Sequence, residues 1–141
     1  MYAEISRFKR LATYVTLCII VVLSDGCAFD ISHVRRVPTS FEPATTSGPG
    51  WILLENRSIG VGSGFPTRLK AQTRWSLSGR VPEGDVYRTR DQIVTVEASS
   101  IFEAMPVMRQ RKLVGFYLPG ERSLVPVDPP VILPIADGDK S

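Results

Sequence analysis

Between Arg68 and Ser78, polar and apolar residues alternate with a period of two, and this pattern constrains the fold more than any other in the chain. One set contains Lys70 and Arg74, and the opposite set is Leu69, Ala71, Thr73, Trp75 and Leu77. A period of two places successive side chains on opposite faces of a β-strand. We therefore predict a half-buried strand with Lys70 and Arg74 toward solvent.

Eleven prolines and eleven glycines, most of them after residue 38, divide the rest of the chain into short segments. Such punctuation is typical of turns between strands. We predict an all-β fold, a small antiparallel sandwich or partly open barrel of about six or seven short strands. The further predicted strands are 51–55, 86–87, 93–98, 101–108 and 113–118, and the segments 58–61 and 131–133 are weaker candidates.

Two features refine this prediction. The run Leu113–Leu118 is the most apolar after the N-terminal segment, so we predict that it is the central strand. The four polar residues Arg109–Lys112 before it predict a hairpin turn. Pro106 has no backbone N–H, so its strand is predicted to lie at an edge or to carry a bulge.

The N-terminal segment has the pattern of an export signal. Arg7, Lys9 and Arg10 precede thirteen uncharged residues, Leu11–Leu23, and small residues then lead to Cys27. Thirteen residues would make about 20 Å of helix, shorter than the ~30 Å hydrocarbon core of a membrane. A cleaved signal peptide over residues 1–26 is therefore favoured over a permanent anchor helix.

Three ways of processing this segment are open. The sequence LSDGC, ending in Cys27, resembles a bacterial lipobox, which implies acylation of the cysteine sulfur, although Ser24 and Asp25 depart from the usual pattern. Alternatively, a signal peptidase cuts after Ala28, because Gly26 and Ala28 satisfy the small-x-small rule, and leaves a soluble periplasmic protein. In the third case the segment stays as an anchor. Ala28 instead of aspartate after the cysteine implies, by resemblance to enterobacterial lipoproteins, sorting to the outer membrane.

Composition then divides the chain after this signal. Residues 27–50 show no apolar period and end in turn-forming residues, so we predict a flexible tether. We place a small β domain at residues 51–136 and a frayed tail at 137–141. The 115 residues after position 26 hold no cysteine beyond Cys27, so the domain must be stable without disulfides.

The residue inventory excludes several kinds of chemistry. After position 26 the chain has 14 Lys/Arg and 12 Asp/Glu, a balance too even to predict a nucleic-acid partner. His33 is the single histidine and lies in the predicted tether, which argues against Ser-His-Asp catalysis and transition-metal sites. The glycines of 60–64 lack the Lys-Ser/Thr ending of a phosphate loop. We predict no metal, nucleotide or other small-molecule cofactor.

Two carboxylate pairs are candidates for acid-base chemistry on glycans, Glu83 with Asp85 and Glu97 with Glu103. Glu83 and Asp85 fall in a predicted exposed turn, and Glu97 and Glu103 fall on predicted strands. Carboxylates in such places are usually solvated or ion-paired, so we predict no catalytic residue.

Basic and aromatic residues are candidates for binding. Arg109, Arg111 and Lys112, with Arg88 and Arg90 nearby, could bind anionic lipid or polysaccharide phosphate, although charge at a hairpin tip also serves solubility alone. Large aromatic side chains could line a binding face, but in a domain this small they are needed for the core. They are Trp75, Tyr87, Phe116 and Tyr117.

Several of these stretches together resemble small lipoproteins of Gram-negative bacteria to which no activity is assigned. The similar stretches are Leu69-x-Ala71-x-Thr73-x-Trp75, Gly79-x-x-x-x-Gly84-Asp85-Val86-Tyr87-Arg88, Glu103-Ala104 and Leu113-Val-Gly-Phe-Tyr-Leu-Pro119. The similarity covers roughly fifty of the 141 residues, together with the signal-and-cysteine layout. It implies a location and no catalytic residue.

The predicted function is a membrane-anchored envelope lipoprotein, held by acyl chains on Cys27, with a non-catalytic binding or structural role. Its predicted partners are the membrane and another envelope protein or a cell-wall component. A small envelope enzyme that acts on glycans through a carboxylate pair is the alternative.

Overall fold

The computed structural model describes residues 34–62 and 64–138, which belong to one unit built from strands. The predicted signal segment, Cys27 and His33 lie outside the described residues. Across the part of the chain that is described, no helix is long and apolar enough to cross a membrane.

All strand pairings among the described residues are antiparallel, and no helix occurs in this part of the chain. The predicted all-β fold is therefore confirmed. The number of strand segments is larger than the predicted six or seven. Segments of two or three residues were not predicted, because they are too short to show a period. The strands are β1 (Val37–Pro38), β2 (Glu42–Pro43), β3 (Trp51–Leu53), β4 (Arg57–Ile59), β5 (Thr67–Leu69), β6 (Arg74–Val81), β7 (Gly84–Arg88), β8 (Thr95–Glu97), β9 (Ile101–Glu103), β10 (Met105–Arg109), β11 (Lys112–Leu118), β12 (Ser123–Ile132) and β13 (Ile135–Asp137).

One large sheet has the order β1-β12-β11-β10-β7-β6-β3-β13, with β2 also beside β6. Two small sheets, β4-β5 and β8-β9, complete the fold. The segment 123–137 pairs with β11 through β12 and with β3 through β13. This one stretch of chain therefore links strands that are far apart in the sheet order.

Strand β11 lies inside the sheet, between β10 and β12, as its apolar sequence predicted. Leu113 and Phe116 are fully buried in the main core, whereas Tyr117 is buried in a second apolar cluster. Successive side chains of a strand point to opposite faces. Both faces of β11 are consequently covered by other residues.

The cover on the second face includes residues 37–43, which we call the lead-in, and the predicted tether is corrected for these residues. Phe41 stacks on Tyr117 with ring centroids 5.0 Å apart and an interplanar angle of 10°. β1 pairs with β12, and β2 pairs with β6 at Gly79. A side chain at Gly79 would meet the Glu42 carbonyl oxygen and the Phe41 ring, so glycine permits this close approach. The second face needs apolar cover, and the lead-in supplies it.

Three other predictions are refined by the pairing pattern. The predicted strand 68–78 is interrupted around Gln72, whose φ is 61°, although burial keeps the predicted alternation. Strand β10 carries a register shift between Val107 and Met108, one residue after Pro106, in agreement with the predicted bulge. Asp137 pairs with Trp51, so the strands extend into the predicted tail.

We expect Phe41→Ala to lower the free energy of unfolding by about 1–3 kcal/mol, since it removes a stacked, partly buried ring. Phe65→Ala is the matched control, because the Phe65 side chain is 73% exposed. Urea unfolding of the two variants and the parent measures the difference. Equal stability of all three proteins would contradict the packing of the lead-in.

Candidate functional site

An open cleft of about 790 Å³ lies beside β3, β6, the end of β7 and the β9–β10 connection. Its lining contains Trp51 and Trp75, the two tryptophans of the chain, and a group of charged residues. The charged residues are Arg74, Arg88, Arg90, Asp91 and Glu103.

The strand register brings the arginines to one face. Arg88 pairs with Ser76 across β6 and β7, so their side chains lie on the same face. Arg74 precedes Ser76 by two residues and shares that face. Diagonal neighbours of this kind have Cα atoms about 7–8 Å apart. Arg90 follows in the loop after β7 and also lines the cleft.

The loop that carries Arg90 is fixed to the start of β6 by Asp91. The backbone N–H of Arg74 donates to Asp91 Oδ2 at 2.7 Å, and the backbone N–H of Asp91 donates to Thr89 Oγ1 at 3.1 Å. A carboxylate that accepts backbone hydrogen bonds holds its loop in place. Asp91 therefore has a positioning role in this wall of the cleft.

Aromatic rings pack on the opposite, buried face of these strands. Trp51 and Trp75 stack with centroids 5.0 Å apart, and Trp51 meets Tyr87 edge to face at 5.6 Å. The indole nitrogens of Trp51 and Trp75 are buried and bond to no acceptor among the described residues. An unpaired buried donor costs stability. The stacked rings nevertheless pack β3 against β6, the strand that carries Arg74.

The arginines give the cleft its chemical character. In the described part of the chain, no salt bridge involves Arg74, Arg88 or Arg90, and all three are exposed. Guanidinium groups bind carboxylates and phosphates through two parallel hydrogen bonds. Neighbouring like charges on a sheet repel one another, and an anion between them would relieve that repulsion. The arrangement is suited to an anionic ligand.

Glu83 and Asp85 each accept a hydrogen bond from a different residue. Asp85 accepts a hydrogen bond from Arg80 Nε at 2.9 Å, and Glu83 accepts one from Thr39 Oγ1 at 3.1 Å. Each carboxylate of this pair therefore has a structural contact of its own. Asp85 also raises the pKa of the Arg80 guanidinium, first through this hydrogen bond and then through its charge.

Glu97 and Glu103 lie on β8 and β9, where Glu97 pairs with Ile101 and Glu103 pairs with Thr95. This register places both carboxylates on one face of the hairpin as diagonal neighbours. Glu103 lines the cleft and Glu97 does not.

The predicted basic cluster is divided between two places. Arg109 donates to the Pro82 carbonyl oxygen at 2.9 Å, and Arg111 donates to the Ile135 carbonyl oxygen at 2.7 Å. These hairpin arginines therefore tie strands together. Arg88, in contrast, is the last residue of β7, beyond the part of β7 that pairs with β10. It lines the cleft with Arg90.

Arg74 was predicted only to face solvent, and its place in a binding cleft was not predicted. The antiparallel pairing of β6 with β7 could have shown that Arg74 lies near Arg88. To use that pairing, one must know the register that the turn between the two strands sets. Of the predicted aromatic residues, Trp75, Phe116 and Tyr117 are buried and Tyr87 is half-buried against the main core.

No protein-family model, curated protein or solved structure matches the chain. The resemblance to small Gram-negative lipoproteins therefore stays a prediction from sequence.

Burial raises the pKa of the Tyr87 phenol above its ordinary value of about 10, and the nearby Asp85 charge adds to the rise. Below that value the phenol is neutral in both the folded and the unfolded chain. At higher pH the unfolded chain loses the proton first, so the free energy of unfolding falls. We expect Tyr87→Phe to make this alkaline loss of stability less steep in urea unfolding between about pH 9 and about pH 11. If the free energy of unfolding fell equally steeply with pH in the variant and the parent, the contribution of Tyr87 to the alkaline loss of stability would be contradicted.

Proposed function

We propose that the chain is a cell-envelope lipoprotein of a Gram-negative bacterium, anchored by acyl chains on Cys27, whose β domain acts by binding. The order of cations, apolar run and small residues before Cys27 supports export and acylation. Several acyl chains hold a protein stably, since each buried CH₂ contributes about 0.8 kcal/mol. The outer membrane, with the domain in the periplasm, is the proposed location.

The architecture that we propose for the domain is a small, partly open barrel. The support is the segment 123–137, which pairs with β11 on one side and with β3 on the other. A sheet joined in this way presents its binding residues from several strands, while fewer of its edges stay free.

The cleft is the observation that carries the binding role. Arg74, Arg88 and Arg90 line it together, on strands whose opposite face carries the stacked indole rings. The proposed ligand carries a carboxylate or phosphate group, on a cell-wall glycan or on another envelope protein. Glycan hydrolysis by Glu97 and Glu103 has weaker support, because only Glu103 lines the cleft.

The anchor is tested by Cys27→Ser. We expect the parent to stay with the membrane fraction and to incorporate labelled fatty acid, whereas the variant moves to the soluble fraction, because it lacks the acylated sulfur. Cys18→Ser is the matched control and should behave like the parent. Unchanged membrane retention of Cys27→Ser would contradict acylation at this cysteine.

The cleft is tested by Arg74→Gln and Arg88→Gln. We expect each variant to bind an oligogalacturonate probe or glucose 6-phosphate about tenfold more weakly, because a charge-assisted hydrogen bond is lost. Isothermal titration at low and high salt measures the affinity, and the two probes distinguish carboxylate from phosphate recognition. Arg68→Gln, an exposed arginine outside the cleft, is the matched control. The proposal would be contradicted if all three variants bound the charged probes with the same affinity. It would also be contradicted if the parent bound a neutral oligosaccharide as tightly as the charged probes.

A further inference from the structure

The cleft opens where β7 and β10 stop pairing. The last pair toward the cleft is Val86 with Val107. Beyond this pair, Arg88 and Arg90 follow on the β7 side, and Glu103 precedes the start of β10 on the other side. In an antiparallel register, each step forward on one strand corresponds to a step back on the other. The two arginines and Glu103 therefore border the same opening from opposite sides, and all three line the cleft.

The backbone around Glu103 is held in place by the β8–β9 hairpin. Glu103 pairs with Thr95, and the backbone N–H of Ala104 donates to the Val94 carbonyl oxygen at 2.9 Å. Phe102 packs against the main core, so the side chain of Glu103 lies on the opposite, outer face of the strand. Glu103 is consequently a fixed part of the cleft wall, and the residue is exposed.

The opposite charges on the two sides of the cleft do not neutralise one another. Among the described residues, no salt bridge joins Glu103 to an arginine. Asp91, the second carboxylate of the lining, lies on the arginine side, where its Oδ2 accepts the backbone N–H of Arg74. That side keeps a positive balance, because Arg88 and Arg90 also line it. The cleft thus has a cationic side and a separate carboxylate across from it.

This separation of charge distinguishes between two kinds of ligand. A purely anionic ligand on the arginines would bring its charge toward Glu103, and like charges repel. A ligand with an ammonium group beside its carboxylate or phosphate would meet an opposite charge on both sides. An ammonium group has three hydrogen-bond donors, and a carboxylate accepts them. A carboxylate in an anion-binding cleft therefore favours the second kind of ligand and disfavours the first.

We propose that the ligand of the cleft is zwitterionic, with a carboxylate or phosphate bound by the arginines and an ammonium group bound by Glu103. The inference rests on the proposed binding of an anionic group by Arg74 and Arg88. Amino sugar phosphates and peptides with a free amino end both carry this combination of charges. Glu103 is then the residue that selects such ligands over anions without an ammonium group.

Two matched pairs of probes test the recognition of the ammonium group. Glucosamine 6-phosphate is compared with glucose 6-phosphate, and the dipeptide alanyl-glutamate is compared with its N-acetylated form. Isothermal titration of the full chain at about pH 6.5 keeps the amino group of the dipeptide protonated. We expect the parent to bind the ammonium-bearing member of at least one pair about fivefold more tightly, because it gains an ion pair with Glu103. The pair that shows this preference identifies the carrier as an amino sugar or a peptide.

The variant Glu103→Gln should lose this preference. We expect its affinity for the ammonium-free probes to be unchanged or higher, because the like charge in the cleft has been removed. Glu97→Gln is the matched control, since Glu97 lies on the same face of the β8–β9 hairpin and does not line the cleft. This control should keep the preference of the parent.

The inference would be overturned if the parent bound both members of each pair equally, or if Glu103→Gln kept the preference of the parent. An equal loss of the preference in Glu97→Gln would also overturn it. In each of these cases the binding of anionic groups stands, provided that Arg74→Gln and Arg88→Gln still weaken it. If the arginine variants bound all four probes as the parent does, the proposed role of the cleft and this inference would be contradicted together.

Discussion

The described fold depends on the burial of β11 from both sides. Phe116 is fully buried in the main core, and Tyr117 is buried in the second cluster on the other face. A strand of this kind cannot lie in a sheet with one wet face, because one set of large side chains would then be exposed to water. The lead-in around Phe41 covers the second face. A small domain can therefore bury this face without another sheet. The ordering of residues 37–43 follows from that requirement.

The cleft depends on the same antiparallel framework. The β6–β7 register brings Arg74 and Arg88 to one face, and the Trp51–Trp75 stack lies on the buried side of these strands. The walls therefore come from strands whose other faces are fixed by the core. A site on such elements keeps its geometry without a ligand, which lowers the entropy cost of binding.

Local patterns predicted much of the fold, and long-range pairing explains what they missed. The alternation from Leu69 to Leu77 predicted burial correctly even where a turn interrupts the strand, because burial follows side-chain direction. The lead-in was predicted as a tether because a two-residue strand has no period, and its pairing partner lies far away in sequence. For the same reason the site was predictable only in part. Arg88 and Arg90 were recognised as basic residues, whereas their grouping with Arg74 needs the β6–β7 register.

The pairing of distant segments also affects when the domain can fold. Val37 pairs with Leu124, and Trp51 pairs with Asp137. Strands near the start of the domain therefore pair with strands that are synthesised last. Long-range strand pairing is slow, because a large loop must close before its contacts form. A chain with this topology can complete its large sheet only after Asp137 has been synthesised. That delay is compatible with the export that we propose, because a translocation channel requires an unfolded polypeptide.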